Sequence, residues 1–252
     1  MFLMAGPLRL IRETTIVDNV EKPTTTAVET NSADWTGESC FAPRKTPVLG
    51  THDMSRILNL GFPKCGTSSI HQVFVKAGFK SRHYHCGKAG YCGACMKQRR
   101  QVNETLLAGC GNFTVFTQLD RLAHGHGCIF PQIQYLQELY DESPHATWIL
   151  PFRNVTDWIR SVTHWTANGR ISPMIGRFKR LCRFPQLNIT NIKTDDDFFH
   201  LWCQHVKHVR SFVETHPTLS LVEFSIEDPD AGQVFADVFG VNASFWGQAN
   251  KS

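Results

Sequence analysis

Residues 61–70 read GFPKCGTSSI. They follow the short apolar run SRILNL and precede HQVFVKAGF, whose apolar residues recur at helical spacing. The layout predicts a strand, a loop bounded by Gly61 and Gly66, and a helix beginning at Thr67. It is the layout of a phosphate-binding loop, because the first N–H groups of a helix are forward-pointing donors at the positive end of its dipole. The lysine, however, is not where a nucleoside triphosphatase keeps it. In G-x-x-x-x-G-K-[ST] the lysine follows the second glycine, where it and the next hydroxyl serve a pair of phosphates and magnesium. Here Thr67 follows Gly66, and Lys64 lies inside the loop. Lys64, Cys65, Gly66, Thr67, Ser68 and Ser69 thus form a candidate anion cradle of one ammonium, backbone donors and three hydroxyls. Cys65 fits it as a small packing residue, since a thiolate would repel the anion. The plainer alternative is an ordinary strand, turn and helix with a solvated lysine.

The chain has 252 residues, 42% of them apolar and 11% aromatic, enough for one α/β domain with a large core. A net charge of +4 is weak support for nucleic-acid binding. No apolar run reaches the 18 or so residues of a membrane helix, so this chain shows no membrane anchor of its own. The opening MFLMAGPLRLIRE lacks a basic residue ahead of its apolar stretch, which makes it a poor signal peptide. Residues 13–53 are rich in Thr, Glu, Asp and Asn and lack periodicity, and we read residues 1–53 as a disordered arm or stalk preceding a domain over residues 54–252.

From Ser55 onward strands and helices alternate. RILNL, FKSRHYHC (an edge), FTVFTQL, ATWILPF and LSLVEF read as strands. MKQRRQVNETLLA, IFPQIQYLQELYDE, TDWIRSVTHWTA, DDDFFHLWCQHVKHVRSFVETH and DAGQVFADVFG read as helices, the last ended by Gly240. This order predicts a mostly parallel sheet flanked by helices, with ligands at the carboxyl ends of the strands.

A second segment, WILPFRNVTDWIRSVTHW, has a buried strand that delivers Arg153 at its carboxyl end, and Ser161 two turns into the helix that follows. An arginine fork suits a phosphate, and charge-assisted contacts of this kind are about twice as strong as neutral ones. Two anion sites, each at a strand end, suggest a ligand with two separated anionic groups.

Together the two segments resemble the sulfotransferase family. Its 5′-loop, roughly P-K-x-G-T-[ST], is matched by PKCGTSS, and its 3′-phosphate motif, roughly R-N-P-x-D-x-x-x-S, by RNVTDWIRS from Arg153 to Ser161. LVEFSIEDPDAGQVFADVFGV is similar to the family's C-terminal strand, loop and helix, so the likeness runs from about Arg56 to Ser252. The resemblance implies a P-loop-like α/β fold and 3′-phosphoadenosine 5′-phosphosulfate as co-substrate, with no metal required. Lys64 would sit on the bridging oxygen where charge grows as the sulfuryl group leaves. Val155 replaces the family's usual proline, and Ser69 stands where many cytosolic members have a tryptophan against the adenine, which leaves the adenine platform open.

The acceptor must lose a proton as it attacks, so a base within hydrogen-bond reach is expected. Asp120, directly after FTVFTQL, is the first candidate and His126 the second; His83, His85 and His124 are further ones. Asp120 also reads as a simple helix cap or turn former. Trp158 to Thr194 holds seven basic residues and no acid. It suits a solvated face, a contribution to the 3′-phosphate site, or an acidic acceptor such as a glycan bearing uronic acids or sulfates.

Nine cysteines are present, three of them (Cys86, Cys92 and Cys95) close to His83 and His85. Structural zinc, disulfides and free thiols all fit that spacing. Asn103, Asn112, Asn154, Asn188, Asn242 and Asn250 each begin N-x-[ST]. These sequons lean toward a glycoprotein of a secretory lumen such as the Golgi rather than the cytoplasm. The expectation is therefore a sulfotransferase acting on a hydroxyl or amine. The alternatives are a P-loop nucleotide-binding or kinase-like protein, disfavoured by Thr67, and a non-catalytic cysteine-rich binding module on the same scaffold.

Overall fold

Alternation of apolar side chains builds the centre of the molecule. In the computed structural model, which describes residues 40–123, 127–167, 170–171 and 174–247, five strands form one parallel sheet. They are β1 (Asp53–Asn59), β2 (Ser81–Arg82), β3 (Val115–Phe116), β6 (Ala146–Phe152) and β9 (Ser220–Ser225), in the order β2-β3-β1-β6-β9. Between them in the chain, β4 (Arg121–Ala123) and β5 (Gly127–Ile129) make one antiparallel hairpin, and β7 (Thr166–Ala167) and β8 (Arg170–Ile171) another. The helices are α1 (Thr67–Lys76), α2 (Cys92–Gln101), α3 (Pro131–Gln134), α4 (Leu136–Glu142), α5 (Val155–Thr163), α6 (Met174–Leu181), α7 (Asp195–Glu214) and α8 (Ala231–Phe239).

Successive strand residues point to opposite faces, and the two cores follow that rule. Ile57, Ile149 and Val222 face α1 and α8, where Ile70, Val73, Phe74, Phe235 and Phe239 meet them. Leu58, Trp148, Leu150 and Leu221 face the other layer, with Trp158, Phe178, Phe198, Trp202 and Val206. All seven residues of β6 are buried, as expected of a central parallel strand covered on both sides. This is the mostly parallel α/β architecture that the sequence predicts. The chain leaves β1 toward one edge and returns past it to build the other. At such a reversal a crevice opens outside the carboxyl ends of the strands.

Three predicted helices differ in extent. The one expected over TDWIRSVTHWTA stops at Thr163, and Thr166–Ala167 belong to β7. The helix expected from Met96 begins earlier, at Cys92, and ends at Gln101. Asn103 takes a left-handed φ of 56°, and the Cys95–Cys110 disulfide turns the chain back on itself. The segment after it is held by Glu142, whose carboxylate accepts the N–H groups of Leu107 and Ala108. The helix expected over IFPQIQYLQELYDE is two, α3 and α4, broken at Tyr135, where φ is −134°. The break leaves the Ile133 carbonyl open to the His208 ring at 3.3 Å.

Residues 40–52, whose composition groups them with the arm, are tied to the domain. Cys40 is bonded to Cys203 of α7, and Val48 pairs antiparallel with Leu221 of the edge strand β9. A buried ion pair, Arg210 with Glu223, anchors the strap further: Arg210 donates to the Ala42 carbonyl and Glu223 accepts the Arg44 N–H. Six of the other seven cysteines pair as Cys86–Cys92, Cys95–Cys110 and Cys128–Cys182, so Cys86, Cys92 and Cys95 are engaged in disulfides. Among the described residues no helix is long and apolar enough to cross a membrane, and no cluster of His, Cys, Asp and Glu is arranged to hold a metal ion.

Candidate active site

The loop after β1 is held by its own carbonyls. Leu60 C=O meets the buried His205 ring at 2.8 Å, and Gly61 C=O accepts from Gln132 at 3.3 Å. Pro63 C=O accepts from the Trp158 indole at 2.9 Å, and Lys64 C=O from Arg153 Nη1 at 2.9 Å. Asn59 closes the turn, accepting the Gly61 N–H and donating to the Thr117 carbonyl. The Phe62 ring sits below, among Phe130, Trp158, Trp202 and His205. These restraints hold Lys64 at a φ of 71°, a left-handed conformation that a side-chain-bearing residue keeps only where its surroundings over-determine it. Gly66 is left-handed too, at φ 73°, and a Cβ there would come within 2.8 Å of Ile226 Cγ2.

A cleft of about 750 Å³ opens over this loop at the carboxyl ends of the strands. Pro63, Lys64, Gly66, Thr67, Ser68 and Ser69 line it, with Asp120, Arg153 and Ser161. The structure therefore gathers both predicted anion segments and the first candidate base around one space. Cys65 is buried beneath the loop, is not among the cleft-lining side chains, and is the one free thiol among the described cysteines. Burial pushes its thiol up, so it stays neutral. His124 and His126 lie outside the described residues.

Electrostatics distinguish the titratable groups. Burial, and secondarily the nearby Arg153 charge, lowers the Lys64 ammonium pKa from its ordinary value. An ammonium held back from water next to another cation gains most from an incoming anion. Asp120 is 3% exposed, and its Oδ2 accepts from Gln118 at 3.2 Å while Oδ1 has no hydrogen-bond partner. Burial pushes its carboxyl up to about 7. His83 lies at 3.0 Å from the Thr67 hydroxyl and 3.4 Å from that of Ser68. Burial, helped by neighbouring His71, depresses it to about 4. Near neutral pH Asp120 is thus the stronger base of the two, and the His83 ring orients the loop hydroxyls. His85 also lines the cleft, its ring packed 4.1 Å from Tyr91.

Several cleft residues belong to neither motif. Glu227 accepts the Asn154 N–H at 3.0 Å and stands 3.8 Å from Arg153 Nε. Arg177, on α6, donates to the Leu122 carbonyl at 3.1 Å. Of the basic residues between Trp158 and Thr194 whose side chains are described, only Arg177 lines the cleft; Arg160 pairs with Asp157 instead. Tyr84, Gln118, Trp165 and Trp246 also line its walls. Gln118, two residues before Asp120, had a local signal in that spacing; Glu227 and Trp246 had none, since distant segments bring them in.

The parallel α/β sheet brings a glycine-bounded loop, a lysine and a facing arginine to one crevice, a cationic arrangement suited to an anionic ligand. A family model described as a sulfotransferase domain matches residues 56–230, the larger part of the chain, and the chain belongs to that family. Its chemistry is accordingly sulfuryl transfer. No curated protein matches the chain significantly.

Proposed function

We propose that the chain moves a sulfuryl group from 3′-phosphoadenosine 5′-phosphosulfate to a hydroxyl or amine acceptor. The observation that carries this reading is the convergence of Lys64, Gly66, Thr67, Ser68, Ser69, Arg153, Ser161 and Asp120 on one cleft. The first turn of α1 and the Thr67, Ser68 and Ser69 hydroxyls hold the phosphosulfate end. Lys64 meets the bridging oxygen, where negative charge develops only as the S–O bond breaks, and so stabilises the transition state more than the ground state. Arg153 and Ser161 hold the 3′-phosphate. Asp120 takes the acceptor proton; a base near pKa 7 combines availability with driving force. By analogy with phosphoryl transfer, positioning and charge neutralisation do the rest. No step calls for a metal.

The acceptor side of the cleft, with Tyr84, Leu122, Trp165, Met174 and Arg177, suits an acidic carbohydrate, whose ring faces pack on aromatic side chains and whose anion pairs with Arg177. Four disulfides support an oxidising lumen. The sequons at Asn103, Asn112, Asn154, Asn188 and Asn242 are exposed and fit a Golgi glycoprotein.

Calorimetric titration with adenosine 3′,5′-bisphosphate, with and without EDTA, tests the donor assignment. Tight, metal-independent binding supports it. Preference for ATP with magnesium would favour a kinase-like protein. Binding without turnover of any acceptor, in a screen with radiolabelled sulfate donor, would favour a non-catalytic module.

A further inference from the structure

The nucleobase of the proposed donor needs a surface that the two anion sites do not supply, and one end of the cleft provides it. This inference rests on the donor reading above. Ile226, Glu227 and Trp246 line the cleft together with Ser69. The Trp246 ring is half-buried and rigidly backed. It stacks on Phe235 at 5.3 Å with 20° between planes, and meets Phe224 edge-on at 5.5 Å. Its backbone N–H bonds the Ala243 carbonyl at 3.1 Å.

The turn that carries Trp246 is seated by two further features. A Cβ on Gly232 would lie 2.5 Å from the Ala243 oxygen and 3.1 Å from Trp246 Cβ, so α8 accepts the turn only because that position is bare. Lys76, in the last turn of α1, reaches the Phe245 carbonyl at 3.4 Å. Trp246 is thus held between α8 and the helix that begins at the loop. Ile226 lies directly against the loop at Gly66, which puts this apolar wall on the loop side. Leu122 and Tyr84 lie near Asp120 instead: Leu122 follows it by two residues, Arg177 bonds the Leu122 carbonyl, and Tyr84 packs against Arg121. At the loop end Ser69 presents only a hydroxymethyl group, so the indole is the broad aromatic surface there.

We infer that Trp246, with Ile226 at its side, is the platform on which the purine of the nucleotide donor stacks. A ligand anchored by charge at the loop and at Arg153 has its base as its one large apolar part. Each base has a π-face that an aromatic ring can take up, and removing such a ring by alanine substitution costs about 5- to 150-fold in affinity.

The test compares two ligands, adenosine 3′,5′-bisphosphate and 1-deoxyribose 3,5-bisphosphate, which lacks the base, by calorimetry on wild type, Trp246→Ala, Trp246→Phe and Trp165→Ala. The platform predicts that Trp246→Ala loses about 5- to 150-fold for the adenosine ligand and little for the abasic one. Trp246→Phe restores most of the loss, and Trp165→Ala keeps the wild-type preference. Thermal melts of each variant check folding, and the Phe variant decides if the Ala variant is unfolded. The inference is overturned if both ligands weaken equally, if the preference survives without the indole, or if Trp165→Ala abolishes it instead. Wild type that binds neither ligand overturns the donor reading itself and the platform with it.

Discussion

Arg153 donates a hydrogen bond through Nη1 to the carbonyl oxygen of Lys64, at 2.9 Å. The two residues come from different strand ends, 89 positions apart, and the bond makes one anion site part of the scaffold of the other. The arginine that would hold the far phosphate also holds the lysine in its left-handed conformation. A ligand that engages Arg153 therefore acts on the residue proposed to meet the scissile bond.

Lys64→Ala is expected to lower kcat by about 30- to 150-fold, the value of a charge-assisted bond of about 2–3 kcal/mol. The fold should survive, because the side chain lies over the cleft and its restraints act on the backbone. Single-turnover sulfuryl transfer measures this; a rate within about threefold of wild type would remove the residue from the chemistry.

Arg153→Ala and Ser161→Ala should erase the preference for adenosine 3′,5′-bisphosphate over adenosine 5′-phosphate. Arg153→Ala should in addition lower kcat, since the Lys64 carbonyl loses its donor, whereas Ser161→Ala should not. Affinities for both nucleotides, set beside kcat, separate the two effects. Undiminished preference in the arginine variant contradicts the assignment of this segment.

Glu227→Gln should tighten adenosine 3′,5′-bisphosphate binding by about 2- to 5-fold, the range of a partly exposed ion pair. Glutamine keeps an acceptor for the Asn154 N–H but removes the negative charge that faces Arg153. Weaker binding in this variant would mean that the carboxylate contacts the ligand favourably.

Asp120→Asn should lower kcat by about 10²- to 10⁴-fold with donor affinity nearly unchanged. Only ionised Asp120 is a base, so wild-type kcat/KM should rise with pH through about 7, and this limb should vanish in the variant. Stability has the opposite sign. The folded-state pKa lies above the ordinary 3.8, so the stabilising preference for the protonated form is complete below pH 4 and is lost as pH rises through about 7. Above pH 7 Asp120→Asn should therefore melt at a higher temperature than wild type. No helix follows Asp120, since β4 begins at Arg121, so it is not a helix cap; an Asp120 with a purely structural role would leave the rate unchanged.

Arg210→Ala should destabilise the domain by about 3–5 kcal/mol, because it leaves Glu223 buried with an uncompensated charge and frees the Ala42 carbonyl. Urea unfolding midpoints would show it. A change under about 1 kcal/mol would mean that water or Arg44 satisfies Glu223 instead.

Local chemistry was legible in the order of residues. Alternation at Ile57–Leu58 and the continuous apolar run of β6 are set by the chain's own periodicity, and so is the glycine-bounded turn that carries Lys64. The spacing of Arg153 and Ser161 places both on consecutive elements without knowledge of their neighbours. Three matters needed the tertiary structure. The partners of the cysteines depend on which segments meet, and cysteine spacing does not specify them. The ionisation of Asp120 depends on burial by packing from the whole layer, which separates a carboxylate near pKa 7 from an ordinary turn residue. Glu227 and Trp246 reach the cleft only because β9 docks beside β6 and α8 leaves Gly232 bare for the turn. Short-range patterns follow from backbone geometry repeated every few residues, whereas these three follow from contacts between segments far apart in the chain.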